Sequence, residues 1–241
     1  MQLIAALSLA LLVAVSARAA DWRNASHEPV GLAPDPASTP EAVIQVYGAR
    51  TWGWKGAFGV HTWVATKPSH AKEWTVYEVI GWRLRWSDDV VAISNRDPDA
   101  RWYGSAPELY AEKRGEGVDD MIGRIDKAAR EYPYAHEYTL FPGPNSNTFT
   151  AYLTRQVPEL GVDLPGTAIG KDFLGDRIVG APASGHGVQL SLAGLFGFTA
   201  SSVEGIEVNV LGLAFGIGQS GLKLPLVGRI GRDRIVDSPR P

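Results

Sequence analysis

Two short stretches of this chain hold residue types capable of acid–base and nucleophilic chemistry: Val60-His61-Thr62-Trp63 and Pro142-Gly143-Pro144-Asn145-Ser146-Asn147-Thr148-Phe149. A serine hydroxyl is inert near neutral pH until a base takes its proton, and histidine is the commonest such base. A helix N-terminus offers N–H groups and partial positive charge to a developing oxyanion. Ser146 falls where a Pro/Gly loop gives way to an amphipathic pattern, so its hydroxyl is expected at such a helix start. Asn145 and Asn147 flank it with amide donors. Each part also has a structural reading. Ser and Asn are favoured N-caps because their side chains satisfy orphan N–H groups in the first turn. A histidine on an apolar strand can equally be a hydrogen-bonded core residue.

The elements that must position these residues follow from periodicity. Phe58 to Thr66 and Trp74 to Trp82 are β-rich runs on either side of the turn-like Lys67-Pro68-Ser69-His70-Ala71-Lys72. A turn centred between Ser69 and His70 places His61 opposite Glu78 and Trp63 opposite Val76. A carboxylate beside an imidazole fixes its tautomer and supports the imidazolium, which makes Glu78 the candidate third member. A slip of one residue brings Tyr77 there instead. Val43 to Tyr47 and Asp89 to Ser94 are further strand candidates. Met121, Ile122, Ile125 and Ala129 recur at helical spacing between Val118 and Tyr132, with Pro133 as the stop. Tyr138 to Phe141 reads as short and extended. Phe149, Tyr152, Leu153 and Val157 mark a second helix ended by Pro158. The order predicts an α+β core.

Beyond Gly187, Val188, Leu190 and Leu192 alternate with Gln189 and Ser191, and Ile206, Val208 and Val210 alternate with Glu207 and Asn209. These runs pass into Leu195-Phe196-Gly197-Phe198 and Leu211-Gly212-Leu213-Ala214-Phe215 and predict a C-terminal β-hairpin extension whose apolar tips pack against the core. A lipid- or partner-docking patch is the functional alternative, with contact to a membrane surface. Gly216-Ile217-Gly218-Gln219-Ser220-Gly221 matches GxGxxG formally, but it lacks the strand–turn–helix context of a dinucleotide site.

Composition narrows the partners. Leu3 to Val15 is apolar and Ala17-Arg18-Ala19 offers small-x-small cleavage, so residues 1–19 read as a signal peptide cut after Ala19 and the protein as exported, periplasmic or extracytoplasmic. Removing Arg18 leaves 22 basic against 26 acidic residues, a net charge of −4. No Lys/Arg run suggests nucleic acid as a partner. With no cysteine, neither disulfides nor thiolate chemistry is available. His27, His70, His136 and His186 lack metal-site spacing, so no metal or cofactor is expected. The predicted division is 1–19 signal peptide, 20–40 extended linker, 41–180 core, and 181–241 C-terminal β extension and tail. Nothing in the pattern sets the oligomeric state.

A histidine on a strand, followed by Asn-nucleophile-x-x-Phe at a helix start, resembles the circularly permuted papain-like superfamily. That group includes permuted NlpC-type cell-wall peptidases, lecithin:retinol acyltransferase-like enzymes and PPPDE isopeptidases. The similarity rests on His61-Thr62-Trp63-Val64, Leu140-Phe141, Asn145-Ser146-Asn147-Thr148-Phe149-Thr150 and Leu164-Pro165. It implies an antiparallel sheet with packed helices and hydrolysis or acyl transfer at an amide or ester bond, with cell-wall peptide or lipid as substrate. In that reading Ser146 is nucleophile, His61 base and Glu78 orienter, with Asn145 and the helix N-terminus stabilising the oxyanion. Asn147, Trp52 and Trp54 would contact substrate, unless the two tryptophans merely close the core edge. Ser146 stands where the superfamily has cysteine. A thiol ionises near pH 8.5 and can form a thiolate–imidazolium pair, whereas serine requires concerted general-base catalysis. The alternative is a catalytically inactive papain-like module that binds peptide, glycan or lipid in the envelope. The span from Val43 to Phe173 is also similar to an uncharacterised bacterial exported family of unknown function. Its hallmarks here are Gly53-Trp54-Lys55-Gly56, His61-Thr62-Trp63, Trp102-Tyr103-Gly104 and the Pro142–Phe149 loop.

Overall fold

The computed structural model describes residues 22–231, so the signal-peptide expectation and the end of the tail lie outside the described residues. A first antiparallel sheet contains β1 (Val43–Arg50), β2 (Val60–Lys67), β3 (Thr75–Val79), β4 (Val91–Asn95) and β5 (Glu108–Arg114) in the order β4-β3-β2-β1-β5. Both faces of β1 and β2 are buried, so Gln45, His61, Thr62, Thr66 and Lys67 are enclosed along with their apolar neighbours. Ile44, Val46, Val60 and Val64 share one core with Met121, Ile125, Phe149 and Leu153 of helices α1 (Val118–Arg130) and α2 (Ser146–Arg155). Val43, Tyr47, Trp63, Ala65 and Val76 form a separate core on the opposite face.

That opposite face is closed by the stretch expected to be a linker. Residues 26–40 lack long regular elements but are fastened to the sheet. Asp99 Oδ2 accepts from Leu32 N at 2.6 Å and Ala33 N at 3.3 Å, and Trp74 Nε1 donates to Pro34 O at 3.3 Å. Two other local expectations are corrected. Trp82 belongs to a 3₁₀ turn, Gly81–Arg85, and Tyr138 to Phe141 forms no strand. β5 was not foreseen, because Glu108-Leu109-Tyr110-Ala111-Glu112-Lys113-Arg114 shows no clean alternation. Its Glu112 is buried and accepts from Gln45 Nε2 at 2.5 Å.

The C-terminal extension is a seven-stranded meander, not a hairpin. It runs through β6 (Val179–Gly180), β7 (Val188–Leu192), β8 (Phe196–Ser201), β9 (Gly205–Val210), β10 (Leu213–Gly218), β11 (Gly221–Leu224) and β12 (Gly228–Ile230). The last two strands are four and three residues long, too short for alternation to announce them. The expected orientation is also reversed. Gln189, Ser191, Glu207, Asn209 and Lys223 are buried, while Leu190, Phe198, Val208 and Ile217 are 43–66% exposed.

The cause lies in the segment beneath, which brings Asp163, Lys171 and Asp172 to the inner face. Lys223 Nζ bonds Asp163 and Glu207, and Lys171 Nζ bonds Asp172 at 2.8 Å and Glu207 at 2.5 Å. Gly216 sits between Glu207 and Lys223 in the ladder, where a Cβ would come within 2.7 Å of Glu207 Cγ. Burial alone would raise the Glu207 carboxyl; the Lys171 and Lys223 charges outweigh it and hold it below the usual range. Among the described residues no helix is long and apolar enough to cross a membrane.

Candidate functional site

The loop before α2 delivers a cap, and the cap is Asn145. Its Oδ1 accepts from Asn147 N at 3.0 Å and Thr148 N at 3.2 Å, while Thr148 Oγ1 accepts from Asn145 N at 3.2 Å, completing a capping box. Asn145 Nδ2 donates to Leu140 O and Ile169 O, at 3.0 and 3.1 Å. Close approach of this amide requires Gly170, whose φ is +98° and whose absent Cβ would lie 2.4 Å from Asn145 Nδ2. Ser146 is the first helical residue and is 6% exposed. Asn147 is equally committed: its Nδ2 donates to Val60 O at 3.0 Å and Ile169 O at 2.8 Å, and its Oδ1 accepts from Thr62 Oγ1 at 2.9 Å. Both amides are therefore structural ties, with no donor left for an oxyanion.

Those bonds also fix where His61 points. Val60 and Thr62 face α2, and successive side chains on a strand alternate, so His61 leaves β2 on the other face. There its ring stacks on Trp102 with centroids 3.8 Å apart and 15° between planes, and lies 5.7 Å from Trp63. The expected meeting of Ser146 and His61 does not occur; no hydrogen bond joins them and the sheet lies between the faces they occupy.

His61 and Glu78 do meet. His61 Nε2 and Glu78 Oε2 are 2.8 Å apart, although the register differs from expectation. Val64 pairs with Tyr77 and Thr66 with Thr75, so continuation of the ladder sets Trp63, not His61, opposite Glu78. The shift is two residues, an even number, so Glu78 keeps the face of His61 and reaches it diagonally. Tyr77, the alternative neighbour, points to the helix-covered core and donates to Asp126 Oδ1 at 3.2 Å.

A third charged group was missed in the sequence. Arg96, just past β4, donates to Glu78 Oε1 from Nη2 at 3.1 Å and Nε at 3.3 Å, and its guanidinium lies 5.4 Å from the Trp63 ring. Burial by itself would raise the Glu78 carboxyl. The His61 hydrogen bond and the Arg96 charge together overcome that and hold it below the ordinary 4.5.

The roof of this cluster is Trp102-Tyr103-Gly104-Ser105. Trp102 and Ser105 exchange two backbone hydrogen bonds of 2.9 and 3.0 Å around Tyr103 (φ 46°) and Gly104 (φ 85°). Two positive φ values at the central positions make this a type I′ turn. Glycine carries its second centre without strain, but Tyr103 holds a left-handed conformation costing about 1–2 kcal/mol. Tyr103 stands edge-on to Trp102 at 5.1 Å and to Trp82 at 5.9 Å, and Trp82 lies 5.8 Å from Trp102. Burial, then the charge of Glu78, raises the Tyr103 phenol. In the sequence Trp102-Tyr103-Gly104 stands out only as a hallmark of the family resemblance; nothing local signals its placement over His61. Trp52 is 44% exposed beside the 3₁₀ turn Gly53–Ala57, and the Trp54 side chain lies outside the described residues. Among the described residues no group of three or more His, Asp or Glu side chains could hold a metal ion.

Two antiparallel sheets, two helices on one face of the first, and a buried His–Glu–Arg cluster on the other define an α+β protein with a strand-rich C-terminal region. The chain belongs to the family described as "Protein of unknown function (DUF3750)", whose model matches residues 41–173. That match spans the first sheet and both helices and ends before β6. Comparison with curated proteins and with solved structures gives no match.

Proposed function

We propose that this chain is a binding module for saccharide chains of the cell envelope, built on a permuted papain-like core, and not a Ser–His hydrolase. One observation carries the reading: His61 commits its Nε2 to Glu78 and its ring to Trp102, on the sheet face away from α2 and Ser146. A nucleophile–base pair requires hydrogen-bond reach, about 2.6–3.2 Å, between hydroxyl and imidazole. Here the strand backbone separates them, and Asn145 has already spent both amide hydrogens. The order of the His61 strand and the Asn145-Ser146 helix supports the papain-like comparison. The serine in place of cysteine and the histidine turned to the opposite sheet face fit a core that no longer performs that chemistry.

Ligand contact would fall on the aromatic roof. The indole N–H groups of Trp82 and Trp102 and the Tyr103 hydroxyl donate to no described residue, and Trp82 is 40% exposed. Indole faces suit the C–H faces of sugar rings, while N–H and O–H groups at the rim meet ring hydroxyls. Beneath them the His61–Glu78–Arg96 cluster holds the roof rigid. The export expected from residues 1–19 would bring such a module among envelope glycans.

The test is titration of intrinsic tryptophan fluorescence with soluble peptidoglycan strands, alongside fluorophosphonate labelling. The reading expects saturable quenching, lost in Trp102→Ala and Trp82→Ala and retained in Ser146→Ala, with no labelling. Labelling abolished by both Ser146→Ala and His61→Ala would instead make the protein a serine hydrolase. Quenching indifferent to both tryptophan substitutions would remove the site from this face.

A further inference from the structure

We propose that the C-terminal meander is the interface of a homodimer in which two copies pack their apolar sheet faces against each other. This inference is independent of the saccharide reading. The outer face of the sheet is apolar across its whole width. Leu190, Phe198, Val208 and Phe215 lie directly opposite one another in successive strands, and each is 43–45% exposed. A second row runs through Ile206, Ile217, Leu222 and Ile230. No charged side chain interrupts either row. The charges that alternate with them, Glu207 and Lys223, are turned inward and buried.

Polar inside and apolar outside inverts the usual half-buried sheet, and it is favourable only when the outer face is also taken from water. The dimensions suit a second copy. Seven strands of two to six residues, at ~4.8 Å spacing and ~3.4 Å per residue, give a footprint of roughly 500 Å² per copy before side-chain corrugation is counted. A pair buries at least roughly 1,000 Å², the threshold of a biological interface, and homodimer interfaces are the more apolar class. Two such faces stack about 10 Å apart as a β-sandwich, and an uncharged face meets its own copy without repulsion. The edges argue against association through strand pairing: β6 has two residues, and β12 has three and follows Pro225. A bilayer surface is the less suitable occupant, because interfacial elements carry a Lys/Arg rim and here Lys223 and Arg229 point toward Asp163.

Val208 lies on the fourth of the seven strands, at the centre of the face, and so nearest the two-fold axis. Sedimentation equilibrium of the purified protein should give a dimer at low micromolar concentration. Phe198→Glu with Val208→Glu should weaken self-association by roughly 30-fold or more while leaving the circular dichroism spectrum unchanged. Because the chain has no cysteine, Val208→Cys is a unique reporter. A short bismaleimide should couple it into a covalent dimer, while Ser202→Cys on the exposed β8–β9 turn should stay uncoupled; this pair decides the matter if the double variant fails to fold. Wild-type protein that stays monomeric at about 100 µM overturns the proposal. So does monomeric protein that floats with phosphatidylcholine vesicles through Val208, which would assign the face to lipid.

Discussion

The 2.9 Å hydrogen bond from Thr62 Oγ1 to Asn147 Oδ1 settles the direction of the neighbouring residue on β2, His61. It ties one face of β2 to the start of α2, and alternation then sends His61 to Trp102 and Glu78 on the other. The expected nucleophile and its expected base therefore lie on either side of a sheet, and the two centres can be tested separately.

At the helix start, Asn145→Ala should cost far more than Ser146→Ala. Loss of the cap and of two bonds to Leu140 and Ile169 carbonyls adds to about 2–3 kcal/mol, while the serine change should stay below about 0.5 kcal/mol. Urea denaturation of the two variants measures the difference. Equal costs would mean that Ser146 makes a contribution the capping geometry does not explain.

On the opposite face, Glu78→Gln should cost about 3 kcal/mol at pH 7, because it leaves His61 and Arg96 beside a neutral amide. The folded-state carboxyl is depressed below its ordinary 4.5, so the unfolded chain binds the proton more readily. Its stabilising contribution is present above about pH 4.5 and fades as pH falls through the depressed value. The gap between wild type and Glu78→Gln should therefore narrow on acidification, read from denaturation midpoints at pH 7 and pH 3. A constant gap would show that the carboxylate is not preferentially charged in the fold.

Beneath the second sheet a variant that removes a cation should also lose its deficit on acidification. Lys223→Met strands Asp163 and Glu207 with fewer cations in a buried site and should cost about 3–5 kcal/mol at pH 7. With Lys223 gone, one of the two charges that offset burial at Glu207 is lost, and its carboxyl rises from the depressed value it has in the wild type, with Lys171 still beside it. A folded carboxyl that holds its proton more tightly than the wild type's loses less stability as pH drops, so the deficit should shrink between pH 7 and pH 3. Thermal melting across that range checks the sign, and a deficit that grows on acidification would contradict it.

Part of this architecture was legible in the sequence because it depends on local rules. Apolar repeats at helical spacing marked α1, the Pro/Gly loop marked the start of α2, and the parity of β2 and β3 put His61 and Glu78 on one face despite a two-residue error in register. The tertiary structure decided which face that was, since only the packing of Asn147 on Thr62 and Val60 selects the side α2 covers. Arg96 and Trp102 converge on His61 from separate loops, and no spacing in the chain encodes that meeting. The C-terminal alternation separates apolar from polar residues onto two faces, but period-two patterning is symmetric and carries no label for inside. Asp163, Lys171 and Asp172, supplied by the segment beneath, turned the polar face inward and left the apolar one outside.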